Sequence, residues 1–425
     1  MKARLTGLNR SGLFLMGWAL LLGVVSGRAE LVLVAVPLLL QLVLGSRRRA
    51  SPEYTLAHAV SSGRLFEGDR LTVTVTLDAR SALEQIELVE PLPPSVELVS
   101  GRNQAVFRLG ANETATWRYE LRCRGRTQVS LGVLHVRVWD PAGLRLLETH
   151  HLHLSPLRVY PRVEPLRQAL HPLRTQTTVG NYVAPTLGEG IEPGEIRPFA
   201  PGDQVRHVNW RASLRLGKLY VTRQHQERNA DVMLMLDTSS QVGVFPGTSL
   251  DLCVRAAASL AWAYLSRKDR VGLMKYGGLL HWVKPGSGRA QFERLLDALL
   301  EAEVVFTYVA KDLALVPPRV LSPRSLVIAL SPLLDPRFIK AATDLASRGF
   351  DVVIVSVSPV DIVRACQHAS VLVDAACRLW ELERQGQLAD LRRQGLRVLE
   401  WHPDEPLDLA LAQLGRHRRL PGLVA

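Results

Sequence analysis

Two uncharged apolar runs stand almost side by side at the start of the chain, and they limit what it can fold into more than any other feature. Residues 11–27 read SGLFLMGWALLLGVVSG and residues 31–45 read LVLVAVPLLLQLVLG, with Arg28 and Glu30 between them. A spanning helix needs about 20 apolar residues and rarely fewer than about 17, so each run is short but tolerable if flanking side chains snorkel. The simplest arrangement is a two-helix transmembrane hairpin. The rival is a secretory signal peptide, since Lys2, Arg4 and Arg10 precede a run that ends in mostly small residues. A cleaved protein has no use for the second run, which favours the hairpin. Basic residues before the first run, and Arg47, Arg48 and Arg49 after the second, place both ends in the cytoplasm by the positive-inside rule. The expected location is the inner or plasma membrane, with everything after Ala50 facing the cytoplasm.

The remaining chain is long enough for two folded units, since 425 residues exceed one ordinary domain and 47% are hydrophobic. From residue 51 to about 160 the pattern turns to short alternating runs, such as LTVTVTLDA at Leu71 to Ala79 and TATWRYELRC at Thr114 to Cys123. Period-two alternation, β-branched residues and breaks such as Glu67-Gly68-Asp69 predict an all-β immunoglobulin-like sandwich. His150, His151 and His153 lie on one of its strands, where i and i+2 face the same way. With no carboxylate or cysteine to complete a ligand set, they read as a polar strand face. Cys123, Cys253, Cys366 and Cys377 form no C-x-x-C pair and read as buried free thiols.

Residues 161–229 are rich in Gly and Pro yet carry Phe199, Trp210 and Tyr220, large apolar groups that a free linker seldom holds. The segment is expected to pack on a folded domain, with Trp210 as a buried anchor. Asp203, Arg206, Arg211, Arg215, Glu227 and Arg228 are candidates for an ion-paired clasp, because an Arg fork grips a carboxylate with two hydrogen bonds. From residue 230 to 425, strand-like and helix-like runs alternate, beginning with ADVMLMLDTSS, which predicts an α/β doubly wound domain.

The run of Arg197, Pro201, Gly202, Asp203, Arg206, Trp210, Arg211, Ala212, Ser213 and Arg215 resembles the hallmark of the domain of unknown function 58 family. Phe199 stands where that family usually has Tyr, and Asn209 where Asp is common. The resemblance extends over the whole layout and implies a membrane-anchored protein with a von Willebrand factor A-like domain, partnered by a MoxR-type AAA+ ATPase. It also implies a place for a divalent cation, because von Willebrand A domains often hold one on an Asp-x-Ser-x-Ser loop, a Thr and a further Asp. Such oxygen ligands suit Mg²⁺. Asp237 and Ser239 keep the first two places, Gln241 departs from the third, and Thr307 and Asp335 are the nearest matches for the others.

No G-x-x-x-x-G-K-[ST], G-x-S-x-G or H-E-x-x-H motif is present. The expected function is a non-catalytic membrane-tethered scaffold or adaptor for the ATPase. The alternatives are a metal-dependent ligand-binding or hydrolytic protein, and a binder of anionic lipid or nucleic acid. The net charge of +12 supports this last class, although the basic residues are scattered and lack the aromatic interleaving of a nucleic-acid stripe.

Overall fold

A strand that alternates apolar and polar residues can bury one face only, so a run of such strands must stack as sheets around a shared core. In this computed structural model the chain divides into two compact units, residues 1–160 and 161–425. The structure describes residues 2–5, 7–28, 30, 32–33, 35–37, 39–40, 52–140, 145–167, 182–188, 192–200, 203, 205, 208–228, 231–278, 280–305, 313, 316–317, 320–322 and 325–416.

The first unit opens with β1 (Lys2–Leu5) and α1 (Gly7–Ser26). Its other strands are β2 (Tyr54–Val60), β3 (Arg64–Phe66), β4 (Arg70–Ala79), β5 (Leu83–Val89), β6 (Val96–Ser100), β7 (Gln104–Leu109), β8 (Thr114–Cys123), β9 (Thr127–Trp139) and β10 (Arg145–Tyr160). One sheet runs β1-β10-β9-β5-β7, with β3 also on β10, and the other runs β2-β4-β8-β6. Leu71, Val73, Val75 and Leu77 of β4 meet Ile86, Leu88, Leu134 and Val136 of the facing sheet in one core.

One carboxylate is buried in that core. Glu90 takes a hydrogen bond from the Gly132 amide at 2.7 Å and another from the Tyr119 hydroxyl, and His58 Nε2 lies 3.3 Å away. Gly132 has φ +97°, and a Cβ there would fall 2.1 Å from the His153 carbonyl oxygen, so only glycine brings its N–H to this place. The β9–β10 register slips nearby, between Leu152 and Ser155.

The second unit holds a three-stranded antiparallel sheet, β11 (Tyr182–Gly188), β12 (Glu192–Pro198) and β13 (Tyr220–Arg228), with β13 central, and a short helix α2 (Trp210–Leu216). Its main sheet joins β14 (Asp231–Thr238), β15 (Arg270–Gly277), β16 (His281–Gly286), β17 (Leu326–Ser331), β18 (Asp351–Val357) and β19 (Arg397–Trp401) in the order β16-β15-β14-β17-β18-β19. The helices are α3 (Ser249–Ser266), α4 (Arg289–Leu300), α5 (Pro336–Ser347), α6 (Pro359–Cys366), α7 (Val371–Arg393) and α8 (Leu407–Arg416). Met233, Met235, Val327 and Ala329 pack with Phe338 and Leu345 of α5 and with Leu388 and Leu391 of α7. Their neighbours Val232, Leu234, Leu236 and Ile328 are equally buried, and α3 packs on β14, β15 and β17. Burial on both faces explains why β14 reads as a nearly continuous apolar run.

These observations correct the expected fold class of a doubly wound von Willebrand A-like α/β domain and an immunoglobulin-like sandwich behind a transmembrane hairpin. The described chain is mostly β-sheet with a few helices. In the first unit β3 joins β10 in parallel. In the second, β16 runs antiparallel to β15 with no helix between them, and both α6 and α7 lie between β18 and β19, so no clear doubly wound pattern results. An antiparallel pair closes through a short turn and needs no crossover helix, which is how the alternation expected from the sequence breaks.

The expected hairpin, and with it the inner-membrane location, is also corrected. No helix among the described residues is long and apolar enough to cross a membrane. After Arg10, α1 has sixteen uncharged residues, Ser11 to Ser26, which reach about 24 Å against a hydrocarbon core of about 30 Å. Of the second run, residues 31–45, only 32–33, 35–37 and 39–40 are among the described residues.

The Glu90 site predicts an acid sensitivity for the first unit. Burial pushes this carboxyl up, but the hydrogen bonds from His58, Tyr119 and Gly132 outweigh it and hold Glu90 below the ordinary value of 4.5. A folded value below the unfolded one means stability that is fully present above about pH 4.5 and is lost as pH falls through the folded value. Glu90→Gln should cost about 2–3 kcal/mol at pH 7 and flatten this acid limb. Calorimetric melting of both proteins from pH 3 to pH 7 checks it, and parallel curves for the two would count against a buried anionic Glu90.

Candidate functional site

Four of the five parallel strands of the main sheet, β14, β17, β18 and β19, carry a polar group in their last two residues at the same edge, and the strand ends are where the candidate residues gather. The apolar run of β14 carries Asp237 into the interior before the chain can turn outward, so its carboxylate must find partners there. Ser331, the last residue of β17, donates to Asp237 Oδ2 at 2.5 Å, and the Ser239 amide donates to Oδ1 at 2.9 Å. Ser331 Oγ also accepts from the Leu333 amide at 2.8 Å. That bond and a 3.3 Å contact from Gln387 Nε2 to the Leu333 carbonyl brace a leucine with φ +57°, a conformation L residues avoid.

The next two strands continue the line. Ser356 at the end of β18 donates to the Ser331 carbonyl at 3.2 Å and accepts from Arg384 Nη2 at 2.6 Å. Arg384 is a buried guanidinium on α7. Its Nε pairs with Glu400 of β19 at 2.7 Å, and its Nη1 reaches the Pro332 carbonyl at 2.9 Å. One hydrogen-bonded line therefore crosses the ends of β14, β17, β18 and β19.

Asp335 lies beyond this line. It caps α5, accepting from the Arg337 amide at 2.8 Å, and its two oxygens take the Arg337 guanidinium at 3.0 Å and 2.6 Å. These hydrogen bonds hold the Asp335 carboxyl below the usual carboxylate range. For Asp237, burial dominates, aided by the Asp335 charge, and pushes the carboxyl up to about 6 against the hydrogen bonds from Ser331 and Ser239.

Of the expected Mg²⁺ ligands, Asp237, Ser239 and Asp335 come together, the Ser239 side chain hydrogen-bonding both carboxylates. Both oxygens of Asp237 are taken by Ser331 and Ser239, both oxygens of Asp335 by Arg337, and Gln241 points its exposed residue into solvent. Thr307 lies outside the described residues. No group of three or more His, Cys, Asp and Glu suited to a metal occurs among the described residues. A hard cation needs near-octahedral oxygen donors at about 2.0–2.1 Å. Here the guanidinium of Arg337 already balances the outer carboxylate. Nor does the line offer an accessible nucleophile, since Ser331 and Ser356 are fully buried. Cys253 behind Asp237 is buried too, and burial raises its thiol well above its ordinary value, which keeps it unreactive.

The expected clasp forms in part. Arg197 Nη2 pairs with Asp203 Oδ1 at 2.5 Å, and Asp203 Oδ2 accepts from the Ala200 amide at 2.8 Å, closing a tight turn. Asn209 caps α2 through its side-chain oxygen, which takes the Ala212 amide at 3.0 Å. Asn and Asp cap equally well, so this chain's departure from Asp costs nothing. Ser213 accepts from the Tyr220 amide at 2.8 Å and ties α2 to β13. Trp210, expected as a buried anchor, is instead 60% exposed. It is the first residue of α2, and Val208 and Val221, which pair across a β-bridge, are buried instead. Arg211 and Arg215 are exposed as well. Pro201, Gly202 and Arg206 lie outside the described residues, and Glu227 and Arg228 are described only as residues of β13. Of the four cysteines, Cys366 is exposed, against the expectation of burial, because it ends α6 at the surface.

Sequence reasoning missed Arg384, Ser331, Ser356 and Glu400. The one available signal was the polar residue closing each apolar strand run.

Residues 195–362 match the family described as "Protein of unknown function DUF58", so the chain carries a domain of that family. It is 26% identical over 203 residues to the uncharacterized protein Rv1480 of Mycobacterium tuberculosis (strain ATCC 25618 / H37Rv), covering 46% of this chain and 64% of that protein. It is 24% identical over 242 residues to the uncharacterized protein YeaD of Bacillus subtilis (strain 168), covering 56% of this chain and 59% of that one. Less than two thirds of either relative is therefore spanned. Among solved structures, the cupredoxin domain of amoB from Nitrosocaldus yellowstonii (TM-score 0.18, 13% identity, 28% of this chain and 96% of that one) and the FixG-related protein from Vibrio parahaemolyticus (TM-score 0.19, 11%, 26% and 98%) align too weakly to carry any argument.

The raised Asp237 carboxyl predicts a neutral-pH cost. With a folded value near 6 and an ordinary value of 3.8, stability is lost as pH rises between the two, on the order of 3 kcal/mol in full. Asp237→Asn removes the titrating group, so the stability of the variant relative to the parent should improve by up to that amount between pH 4 and pH 7. Urea unfolding at both pH values measures it, and an unchanged difference would show the carboxyl to be unshifted.

Proposed function

We propose that this chain is a non-catalytic protein-binding scaffold or adaptor, and that it works with a MoxR-type AAA+ ATPase in assembling or remodelling other proteins. The ATPase comes from the resemblance to the domain of unknown function 58 family. The binding role is supported by the loop between β14 and α3.

That loop is firmly held at its base. Val242 and Ser249 exchange two hydrogen bonds, at 2.9 Å and 3.1 Å, and Thr248 and Asp251 form a reciprocal cap on α3. Arg255 Nη2 reaches the Pro246 carbonyl at 3.0 Å, and the Gly247 amide closes a turn onto the Val244 carbonyl at 2.9 Å. Gly243 has φ +97° and lies so close to α6 that a Cβ would fall 2.6 Å from Ile362 Cγ2. Yet the tip offers Val244, 69% exposed, and Phe245 to solvent. A fixed loop with apolar side chains at its tip has prepaid the ordering cost of binding, which suits recognition of a protein surface. The strand ends beneath it spend their polar groups on one another, an arrangement suited to supporting a loop.

The test is capture of a purified MoxR-type AAA+ ATPase by the full chain, with and without EDTA. Capture should survive EDTA, and Val244→Asp/Phe245→Ser should weaken it about 30-fold, as loss of a central apolar anchor worth about 2 kcal/mol does. Full-strength capture by a variant whose circular dichroism is unchanged would falsify this site.

A further inference from the structure

Helix α7 buries one side only. Cys377, Arg384, Leu388 and Leu391 are its buried residues, with Leu388 and Leu391 packed in the core of the sheet and α5. The opposite side carries Leu372, Ala375, Leu379, Leu382, Gly386 and Ala389, spaced three and four residues apart, and every one is exposed. Leu372 is 82% exposed, Leu379 62% and Leu382 66%. On a surface helix the outward face is ordinarily polar, and this spacing, two apolar or small positions per seven residues, is that of a coiled-coil seam. Written as a heptad, Leu372, Leu379 and Gly386 take the a positions, and Ala375, Leu382 and Ala389 the d positions. Gly386 and Ala389 leave room for another helix to approach closely.

The charges beside the seam choose the partner. Positions g carry Val371, Arg378, Gln385 and Arg392, and positions e carry Ala376, Glu383 and Asp390. In a parallel pair, each g faces the e of the following heptad on the other helix. Arg378 would then face Glu383 of a second copy, and Gln385 would face Asp390, twice over by symmetry. An antiparallel pair with Leu379 stacked on Leu382 would instead set Arg378 against Gln385 and Glu383 against Ala376, and the opposite-charge pair would be lost. Both Arg378 and Glu383 are exposed. Since α7 is already folded against the sheet, association does not have to meet the cost of forming the helix, which limits short isolated coiled coils.

We propose that α7 is a homodimerisation helix, and that two copies of this chain pair in parallel through the Leu372–Leu379–Leu382 seam about a two-fold axis. The contact is isologous, so it closes at two copies. It stands apart from the loop proposed to bind the ATPase and does not depend on that reading.

Sedimentation velocity of the full chain at about 1–50 µM tests it. The parent should sediment as a dimer, and Leu379→Lys/Leu382→Lys as a monomer with unchanged circular dichroism. Arg378→Glu should weaken the dimer by about tenfold, and adding Glu383→Arg should restore it, an outcome that mere surface damage does not produce. In a Cys366→Ser background, Ala375→Cys should oxidise to a disulfide-linked dimer, as a parallel in-register pair requires. A parent that stays monomeric throughout, a dimer indifferent to the two lysines, or a seam that binds only lipid vesicles or the ATPase would each overturn the proposal.

Discussion

A buried guanidinium organises the far edge of the main sheet in the second unit. Arg384 gives up its hydration for one carboxylate, one hydroxyl and backbone carbonyls, and each of these belongs to a different strand end or to the turn beyond it. A buried charge is tolerable only when its donors are nearly all satisfied. Satisfying them fixes where β17, β18 and β19 stop relative to one another. From Ser356 the line passes to Ser331 and then to Asp237, so the position of the first loop beyond β14 depends on an arginine three strands away.

The same economy of polar groups appears in the first unit. Glu90 is surrounded by the Gly132 amide, the Tyr119 hydroxyl and His58, and the irregular backbone at Gly132 exists where the carboxylate needs a donor. In both units, the polar residues that first look like chemistry are fastened to their neighbours. Among the described residues, large apolar side chains stand exposed beside them. Val244 and Phe245 cap a stiff loop, and the leucines of α7 line a bare helix face. Exposed apolar groups on rigid supports favour contact with other proteins over turnover of a small molecule, which is why the proposals here concern binding.

Electrostatics separates the two acidic residues that the sequence set together. Asp335 has the Arg337 fork and stays a strong acid, whereas Asp237 has only hydroxyl and amide donors in a dry interior and is pushed up to about 6. Residues of one type in one loop cluster thus differ through their surroundings. A ligand set inferred from residue types alone treats them as equivalent.

Local signals were legible wherever one residue's neighbours along the chain decide its fate. Alternation from Leu71 to Ala79 marks β4, and the unbroken apolar run of residues 232–236 marks a strand buried on both faces. The length of the apolar runs near the N-terminus was equally readable, but their meaning was not, because runs of seventeen and fifteen residues stand at or just below a threshold of about 17–20. Tertiary structure decided the rest. Trp210 reads as an anchor, but at the start of a seven-residue helix it is exposed, and Val208 and Val221 are buried instead. Arg384 reads as one more surface charge on a helix, and it is buried. Leu379 and Leu382 are as apolar as the leucines of the core, and they are bare. A hydrophobic or charged side chain carries its chemistry in the sequence, but the side of the helix that meets the rest of the protein is fixed by contacts between segments far apart along the chain, and those exist only once the chain has folded.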